Sequence, residues 1–228
     1  MGVLEGLKPE RVFYYFEEIC KIPHGSYNVA AISDYCVSVA QSLNLEVRQD
    51  EEYNVVIRKP ASEGYGEAPV LMLQGHLDMV CEQTADCQKD MSREGLDLAV
   101  DGDFVYAKGT TLGGDDGIAV AMALALLDAE GLPHPRLEAV FTVDEEIGLL
   151  GAASIDVTPL KGRQMLNLDS EAEGIFTVSC AGGNTSACLL PLTRAPFDGA
   201  GVTVAVGGLT GGHSGAEIHK GRANANVL

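Results

Sequence analysis

The sequence predicts an α/β fold in which helices flank a mostly parallel central sheet. Up to Thr177, apolar runs typical of buried strands alternate with segments of helical periodicity, and this alternation favours parallel strands joined through helices. Several of the apolar runs also end in an acid or a histidine. From Gly182 the alternation gives way to strand-like runs, at residues 187–190 and 202–206, separated by Pro and Gly. We therefore predict two domains, residues 1–181 and 182–228.

The N-terminal region is expected to form two helices. The first begins at Lys8–Arg11, with a proline in its first turn. Its apolar face comprises Val12, Phe13, Phe16, Ile19 and Cys20. The second helix is predicted from about Tyr27 to Leu43, and two short strands, residues 45–48 and 54–58, follow it.

Polar clusters then recur at the ends of predicted elements. They are His76 and Asp78 after a strand at Pro69–Leu73, Asp115 and Asp116 in a glycine-rich turn before a helical run at Ile118–Leu127, Asp144–Glu146 after a strand at Leu137–Val143, and Asp169 after a strand at Met165–Leu168. Alternate residues of an extended chain point the same way. His76 and Asp78 can therefore project together from the carboxyl end of a strand, where open α/β sheets place their ligands. Asp115 and Asp116 also suit a plain helix start, where an acid complements the helix dipole.

The recurrence of these clusters predicts a polyanionic pocket. Carboxylates held close together cannot all ionise without counter-charge, and the chain has only 15 Lys and Arg against 33 Asp and Glu. Bound divalent cations would supply that charge. A set of imidazole and carboxylate ligands favours Zn²⁺, or else Mn²⁺ or Co²⁺, over Ca²⁺.

Five motifs together resemble those of the aminoacyl-histidine dipeptidases, a branch of the di-zinc metallopeptidases that also includes carnosinases, tripeptide aminopeptidases and aminoacylases. In chain order they are GHLDMV at 75–80, GTTLGGDDGIA at 109–119, DEEIGLLGA at 144–152, NLDSE at 167–171 and GGHSGAEIHKGRANAN at 211–226. They occur in the family's order and cover nearly the whole chain. The resemblance implies the N-terminal part of a zinc-peptidase-like catalytic domain at 1–181 and, at 182–228, the incomplete beginning of an α+β lid and dimerisation domain.

The resemblance also implies a two-metal site. His76 corresponds to the imidazole ligand of one zinc, and Asp78 corresponds to the carboxylate that hydrogen-bonds that imidazole. Asp115 corresponds to the aspartate that bridges both metals. Glu145 corresponds to the general base, and Glu146 corresponds to a ligand of the second zinc.

Further residues follow the same pattern. Asp169 corresponds to the remaining acid on the first zinc, and the peptide bond after Asp115 is expected to be cis. His213 corresponds to the lid histidine that polarises the scissile carbonyl, often across a dimer interface. Arg222, Asn224 and Asn226 correspond to lid residues near the substrate's carboxylate.

These assignments predict a zinc-dependent hydrolase that cleaves dipeptides, either Xaa-His or a broader range, with Glu145 moving the proton. The expected cofactors are two divalent metal ions, Zn²⁺ or alternatively Co²⁺ or Mn²⁺. The expected partners are a dipeptide substrate and, in the full-length protein, a second copy in a homodimer. Two alternatives stay open: an amidohydrolase that acts on N-acyl amino acids, and a truncated non-catalytic relative.

One ligand of the family pattern is not found in this sequence. The second zinc takes a further histidine from far downstream, whereas this sequence ends within Arg222–Leu228, a run predicted to be the middle of a helix. We therefore expect these residues to be the N-terminal portion of a longer enzyme and to be impaired alone. His24, His134 and His219 are interpreted as surface histidines rather than substitutes.

Composition excludes several classes of function. A net charge of −18 argues against binding to nucleic acid or anionic membranes. The sequence shows neither an apolar run of about 18 residues nor a signal peptide. The six cysteines form no Cys-x-x-Cys pair, so reduced, mostly buried thiols in a cytoplasmic protein are expected. Cys81 and Cys87 flank the first metal loop but are not expected to be ligands.

Overall fold

A computed structural model of the protein describes residues 2–170, 174–179, 186–212 and 217–228. The chain divides into two compact units, Met1–Glu171 and Ala172–Leu228. The domain boundary that the sequence predicts lies between residues 181 and 182. It falls outside the described residues and stays a prediction.

The described part of the first unit combines helices, a five-stranded sheet and a separate two-stranded ribbon. In chain order the elements are α1 (Glu10–Cys20), α2 (Ala30–Ser42), β1 (Glu46–Gln49), β2 (Val55–Lys59), β3 (Leu71–His76), β4 (Leu98–Asp101), β5 (Phe104–Ala107), α3 (Gly114–Asp128), β6 (Leu137–Thr142), α4 (Leu150–Ser154) and β7 (Gln164–Asn167).

The central sheet is mixed, so the prediction of a mostly parallel sheet is confirmed only in part. Its strand order is β1-β2-β6-β3-β7. β3 pairs in parallel with β6 and β7, but β2 pairs antiparallel with both β1 and β6. The physical reason is the short connection from β1 to β2, which only antiparallel strands can use. In that turn the Asp50 carboxylate accepts the backbone N–H groups of Glu52 and Asn54 at 3.0 and 2.8 Å.

The main core lies between one face of the sheet and the helices α1, α2 and α3. Alternate strand residues such as Ile57 and Phe141 point into it and are fully buried, as is Leu124 on α3. α3 begins after the glycine-rich turn that the sequence predicts, and most of its residues are buried. This packing fixes the start of α3 against the ends of β3 and β6.

The opposite face of the sheet has a thinner cover. Val56 and Val140 pack there with Leu160 in a small second cluster. A cavity of about 400 Å³ opens beside it, lined in part by Met72 and Met165. β7 is the last strand of the sheet and is exposed along its whole length, although its apolar sequence predicts a buried strand.

Two other features differ from the sequence prediction. The β4–β5 ribbon was not predicted, although its two-residue loop, Gly102-Asp103, has a glycine at the first position, where hairpin turns need a positive φ, and Gly102 has a φ of 57°. The second helix begins at Ala30 rather than near Tyr27. Tyr27 has a φ of 65° and therefore cannot belong to the helix.

In the second unit, the regular structure among the described residues is a 3₁₀ helix at Ile218–Lys220. The strands predicted at residues 187–190 and 202–206 and the helix predicted at 222–228 are not formed there. Among the described residues of the chain, no helix is long and apolar enough to cross a membrane.

The core packing leads to a test on Phe141. Replacing Phe141 with Ala should lower the free energy of unfolding by about 3–5 kcal/mol, because a fully buried ring on the central strand leaves a cavity. Urea denaturation followed by circular dichroism measures the change. The matched control is Phe104→Ala, which removes a ring that is 76% exposed and should change stability by about 0.5 kcal/mol or less. Equal effects of the two substitutions would contradict this packing.

Candidate metal centre

The polar clusters meet at one edge of the sheet because β3, β6 and β7 are parallel. His76 is the last residue of β3 and lies in register with Thr142 at the end of β6. The turn that follows β6 carries Glu145 and Glu146, and the start of α3 supplies Asp115. Residues that are far apart in the sequence, such as His76 and Glu146, thus become neighbours.

Asp78 holds the imidazole of His76 through contacts with the ring's Nδ1. Its Nδ1 lies 3.0 Å from the Asp78 carbonyl oxygen and 3.4 Å from Asp78 Oδ1. Its Nε2 faces the acids, at 2.9 Å from Asp115 Oδ1 and 4.0 Å from Glu145 Oε2. Burial lowers the pKa of this ring, but the contacts with Asp115 and Asp78 outweigh burial and raise the pKa to about 11. A positive charge is therefore strongly favoured at this point of the site.

Three side chains form a group that could hold a metal ion. His76, Asp115 and Glu146 each offer one ligand atom, and these atoms all lie within 4.8 Å of one another. When Nδ1 donates to Asp78, the Nε2 of a neutral ring is an acceptor. It then faces the Asp115 carboxylate, another acceptor, and the pair needs a proton or a cation between them. The donors are the imidazole nitrogen and carboxylate oxygens that suit zinc.

Asp78 contacts the His76 ring, as the sequence predicts, but it also holds the turn after β6. Its side chain is fully buried. Asp78 Oδ1 accepts the backbone N–H of Glu145 at 2.9 Å, and Oδ2 accepts that of Glu146 at 3.3 Å and the Ser26 hydroxyl at 2.7 Å. Burial alone would raise the pKa of Asp78, but the His76 ring, the Glu145 N–H and the Ser26 hydroxyl lower it to about 2. Asp78 is therefore anionic, and it ties β3 to both glutamates. Sequence reasoning missed Ser26, for which no local motif exists.

Asp116 is the second acid of the Asp115–Asp116 pair, and the sequence analysis gave it no role at the metals. It is 1% exposed, and its Oδ2 accepts the His76 backbone N–H at 3.1 Å. The peptide bond between Asp115 and Asp116 is cis, as the resemblance implies. Gly75 makes room for Asp116, because a Cβ at position 75 would lie 2.7 Å from Asp116 Oδ2. Burial, with the negative charges of Asp169 and Asp115, raises the pKa of Asp116 to about 7 against the opposing charge of His76.

The two glutamates are half-buried, and the pKa of each is raised. For Glu145 the causes are burial first and then the charges of Asp169, Asp78 and Asp115, partly offset by His76. For Glu146 they are burial and then the charge of Asp115. Each raised pKa reports an excess of negative charge in a partly desolvated place. A divalent cation would relieve that excess.

The remaining predicted site residues have different placements. Asp169 follows β7 at the same edge of the sheet, is exposed, and lines one cavity with Glu145, but it lies outside the group of three ligands. His213 lies outside the described residues. Arg222, Asn224 and Asn226 belong to the second unit, where the Arg222 guanidinium pairs with Glu217 at 2.6 Å.

The other histidines and the cysteines differ partly from the interpretation of the sequence. His24 and His134 are buried rather than on the surface, each with its Nδ1 against a backbone carbonyl. Both follow or adjoin a proline in turns that fold back onto the unit, which the sequence alone does not reveal. His219 is exposed, as predicted. The five described cysteines are all free thiols, as expected. Only two of these five are buried, so the expectation of mostly buried thiols is wrong.

Comparison with known proteins defines the class of this protein. Residues 72–186 match the model of peptidase family M20/M25/M40, and the chain belongs to this family. The whole chain is 40% identical to the cytosol non-specific dipeptidase of Escherichia coli and covers 47% of that protein.

Solved structures agree with this placement. The aminoacylhistidine dipeptidase of Vibrio alginolyticus superimposes with a TM-score of 0.75 at 34% identity, over 98% of this chain and 46% of that one. A tripeptidase of Staphylococcus aureus gives a TM-score of 0.60 at 26% identity, over 71% of this chain and 43% of that one. The chain thus spans about half the length of the relatives it matches.

The raised pKa of Asp116 leads to a test on the metal-free chain. The Asn side chain can still accept the His76 N–H, so Asp116→Asn removes the charge and keeps the hydrogen bond. A carboxyl whose pKa is raised on folding loses stability as the pH rises from its ordinary value through about 7. The variant should therefore be more stable than wild type at pH 8, by about 1 kcal/mol or more at roughly 1.4 kcal/mol per pKa unit.

The measurement is urea unfolding in the presence of a chelator at several pH values. The difference between variant and wild type should shrink as the pH falls toward 4, because both are then uncharged at this position. Asp103→Asn, at an exposed position, should show no such pH dependence. A variant that is less stable than wild type at pH 8 would contradict the electrostatic assignment.

Proposed function

We propose that this chain carries the metal-binding and proton-transfer residues of a dipeptidase that hydrolyses dipeptides, either Xaa-His or a broader range. The observation that carries the proposal is the convergence of ligand atoms from His76, Asp115 and Glu146 within 4.8 Å, with Glu145 beside them. The names of two relatives support this substrate class, since one is a cytosol non-specific dipeptidase and the other an aminoacylhistidine dipeptidase. The first of these names also supports a cytoplasmic location.

The donor set fits two divalent cations, with Zn²⁺ preferred over Co²⁺ or Mn²⁺ because imidazole and carboxylate ligands occur together. We assign His76 and Asp169 to the first ion, Glu146 to the second, and Asp115 to both. When bound at such a site, the ions lower the pKa of a water molecule and polarise a carbonyl group. Asp78 fixes the His76 ring so that Nε2 is directed at the ligand position.

Glu145 is the proton carrier in this proposal. Its backbone N–H is fixed on Asp78 Oδ1, and its Oε2 lies 4.0 Å from His76 Nε2, next to the ligand group. Its carboxylate would accept a proton from the attacking water and then donate it to the leaving amine. Burial and the neighbouring acids raise the pKa of Glu145, and a pKa closer to neutral suits a group that must both accept and donate a proton.

The second unit is assigned to substrate binding by resemblance. In this proposal His213 donates to the oxygen of the scissile carbonyl as negative charge develops there, and Arg222, Asn224 and Asn226 bind the carboxylate of the dipeptide. The Arg222 guanidinium pairs with the Glu217 carboxylate, and guanidinium groups bind carboxylates through paired N–H donors. The complete protein is proposed to be a homodimer.

The 228 residues alone are proposed to be impaired. The first ion would have three protein ligands here, whereas the second would have only Asp115 and Glu146. Catalytic zinc usually has three protein ligands. The relatives are about twice as long as this chain, which leaves room for the further ligand outside these residues.

The role of Glu145 is tested by Glu145→Gln in the complete protein. Turnover of a dipeptide should fall by roughly 10² to 10⁴, because the amide keeps the shape but cannot accept the proton. Zinc content should stay unchanged, since Glu145 lies outside the ligand group. Assays with a dipeptide and with an N-acetyl amino acid, run in parallel, separate the dipeptidase from the amidohydrolase.

The matched control for this test is Glu130→Gln, which changes an exposed glutamate far from the site in the fold. It should leave turnover unchanged. Near-normal turnover of the Glu145 variant would remove Glu145 from the role of base. Hydrolysis of the N-acetyl amino acid alone would replace the dipeptidase by the amidohydrolase.

Metal binding by residues 1–228 gives a separate test. We expect fewer than two zinc ions per chain after dialysis, measured by elemental analysis, because the second position lacks a ligand. His76→Ala should lower the bound zinc further, whereas His219→Ala, which removes an exposed imidazole, should not. Two tightly bound zinc ions per chain together with robust turnover would show that another histidine completes the site.

A further inference from the structure

A short segment before α2 contacts the loop after β3 and the turn after β6. It comprises residues His24–Tyr27, and we refer to it as the N-terminal clamp. The carbonyl oxygen of His24 accepts the backbone N–H of Met79 at 3.1 Å, and Gly25 forms a β-bridge with the same residue. These contacts attach the clamp to the chain just beyond β3. Gly25 allows this close approach, since a Cβ there would lie 2.6 Å from the Cys81 Sγ.

The next two residues of the clamp reach the two acids that flank the proposed base. The Ser26 hydroxyl donates to Asp78 Oδ2 at 2.7 Å, and the Tyr27 backbone N–H donates to Asp144 Oδ1 at 2.6 Å. Tyr27 and Asp144 both have positive φ, at 65° and 53°. The Tyr27 ring is 77% exposed, so this residue acts on the site through its backbone.

The Ser26 contact is the one that bears on the site's geometry. Asp78 receives three other contacts: the N–H of Glu145 on Oδ1, the N–H of Glu146 on Oδ2, and the His76 ring near Oδ1. The bond from Glu146, at 3.3 Å, is the longest of the hydrogen bonds to this carboxylate. The Ser26 hydroxyl, on the same oxygen, prevents the carboxylate from rotating away from Glu146. One carboxylate thereby holds the Ser26 hydroxyl, the His76 ring and the two backbone N–H groups of the turn after β6.

We propose that Ser26 is a positioning residue for the metal centre: it holds the Asp78 carboxylate in the one orientation that directs the His76 ring and sets the backbone of Glu145 and Glu146. This inference rests on the proposed function and concerns the same site. Among the described residues, the Ser26 hydroxyl donates to Asp78 and not to a proposed ligand or the base. Partners of this kind behind metal ligands typically contribute 10- to 100-fold in metal affinity or activity.

The test compares Ser26→Ala with wild type on the full 228-residue chain by zinc competition against a chromophoric chelator. Zinc affinity should fall by about 10- to 100-fold. Ser38→Ala is the matched control, because it removes an exposed hydroxyl that bonds only a helix carbonyl; its zinc affinity should equal that of wild type. An affinity of the Ser26→Ala variant within two-fold of wild type would overturn the proposal.

A second pair of variants keeps the test valid if the alanine variant does not fold. Ser26→Thr and Ser26→Val have nearly the same shape and differ in the hydroxyl. The threonine variant should bind zinc at least about ten-fold more tightly than the valine variant, and equal affinities would overturn the proposal. In an Asp78→Ala background the difference within the pair should become small, because the acceptor of the hydroxyl at position 26 is then gone. A difference that persists undiminished would show that Ser26 acts by another route.

Activity of the complete protein distinguishes this inference from the proposed function. With a dipeptide, Ser26→Ala should lower kcat and leave KM nearly unchanged, because Ser26 is proposed to set the geometry of the base and ligands rather than to bind substrate. A change confined to KM would overturn the positioning role. If wild type does not hydrolyse dipeptides at all, the proposed function fails, while the zinc affinities still decide the role of Ser26.

Discussion

The buried carboxylate of Asp78 connects three segments that lie far apart in the sequence: the loop before α2, the end of β3 and the turn after β6. It receives a hydroxyl from the first, belongs to the second, and receives two backbone N–H groups from the third. A buried charge with fewer donors would be costly, so the fold must keep all of them in place. The orientation of the His76 ring and the position of Glu145 and Glu146 both follow from that requirement.

The site also concentrates negative charge beyond what the fold needs. Asp115, Asp116, Glu145 and Glu146 lie around one imidazole, and three of them have a raised pKa because of burial and one another. Such an arrangement destabilises the metal-free chain. It is the arrangement expected of a site that is completed by cations. Stability and metal binding therefore oppose each other at the same residues.

The two faces of the central sheet are covered to different extents. One face is closed by α1, α2 and α3 over a core that includes Ile57 and Phe141, both fully buried. The other has a small apolar cluster and an exposed strand, β7, at its edge. Because Asp169 follows β7, the most exposed strand of the sheet carries one of the proposed ligands.

The sequence by itself determined much of this protein. Apolar runs with flanking glycines were enough to predict α1, α3, β3 and β6, because strong periodicity and turn residues act locally. The resemblance of the motifs implied that His76, Asp78, Asp115 and Glu146 are neighbours, and these four residues do lie together in the structure. It also implied the cis peptide after Asp115.

Only the tertiary structure decided the rest. The antiparallel pairing of β2 with β6, the burial of His24 and the exposure of β7 depend on which surfaces meet, and no local pattern encodes that. Ser26 joins the site because a loop fifty-two residues before Asp78 folds across two strand ends. A hydroxyl in a loop has no signature in a sequence, whereas a carboxylate left buried without donors has a large energetic cost. The fold avoids that cost because distant parts of the chain supply hydrogen-bond donors to the Asp78 carboxylate.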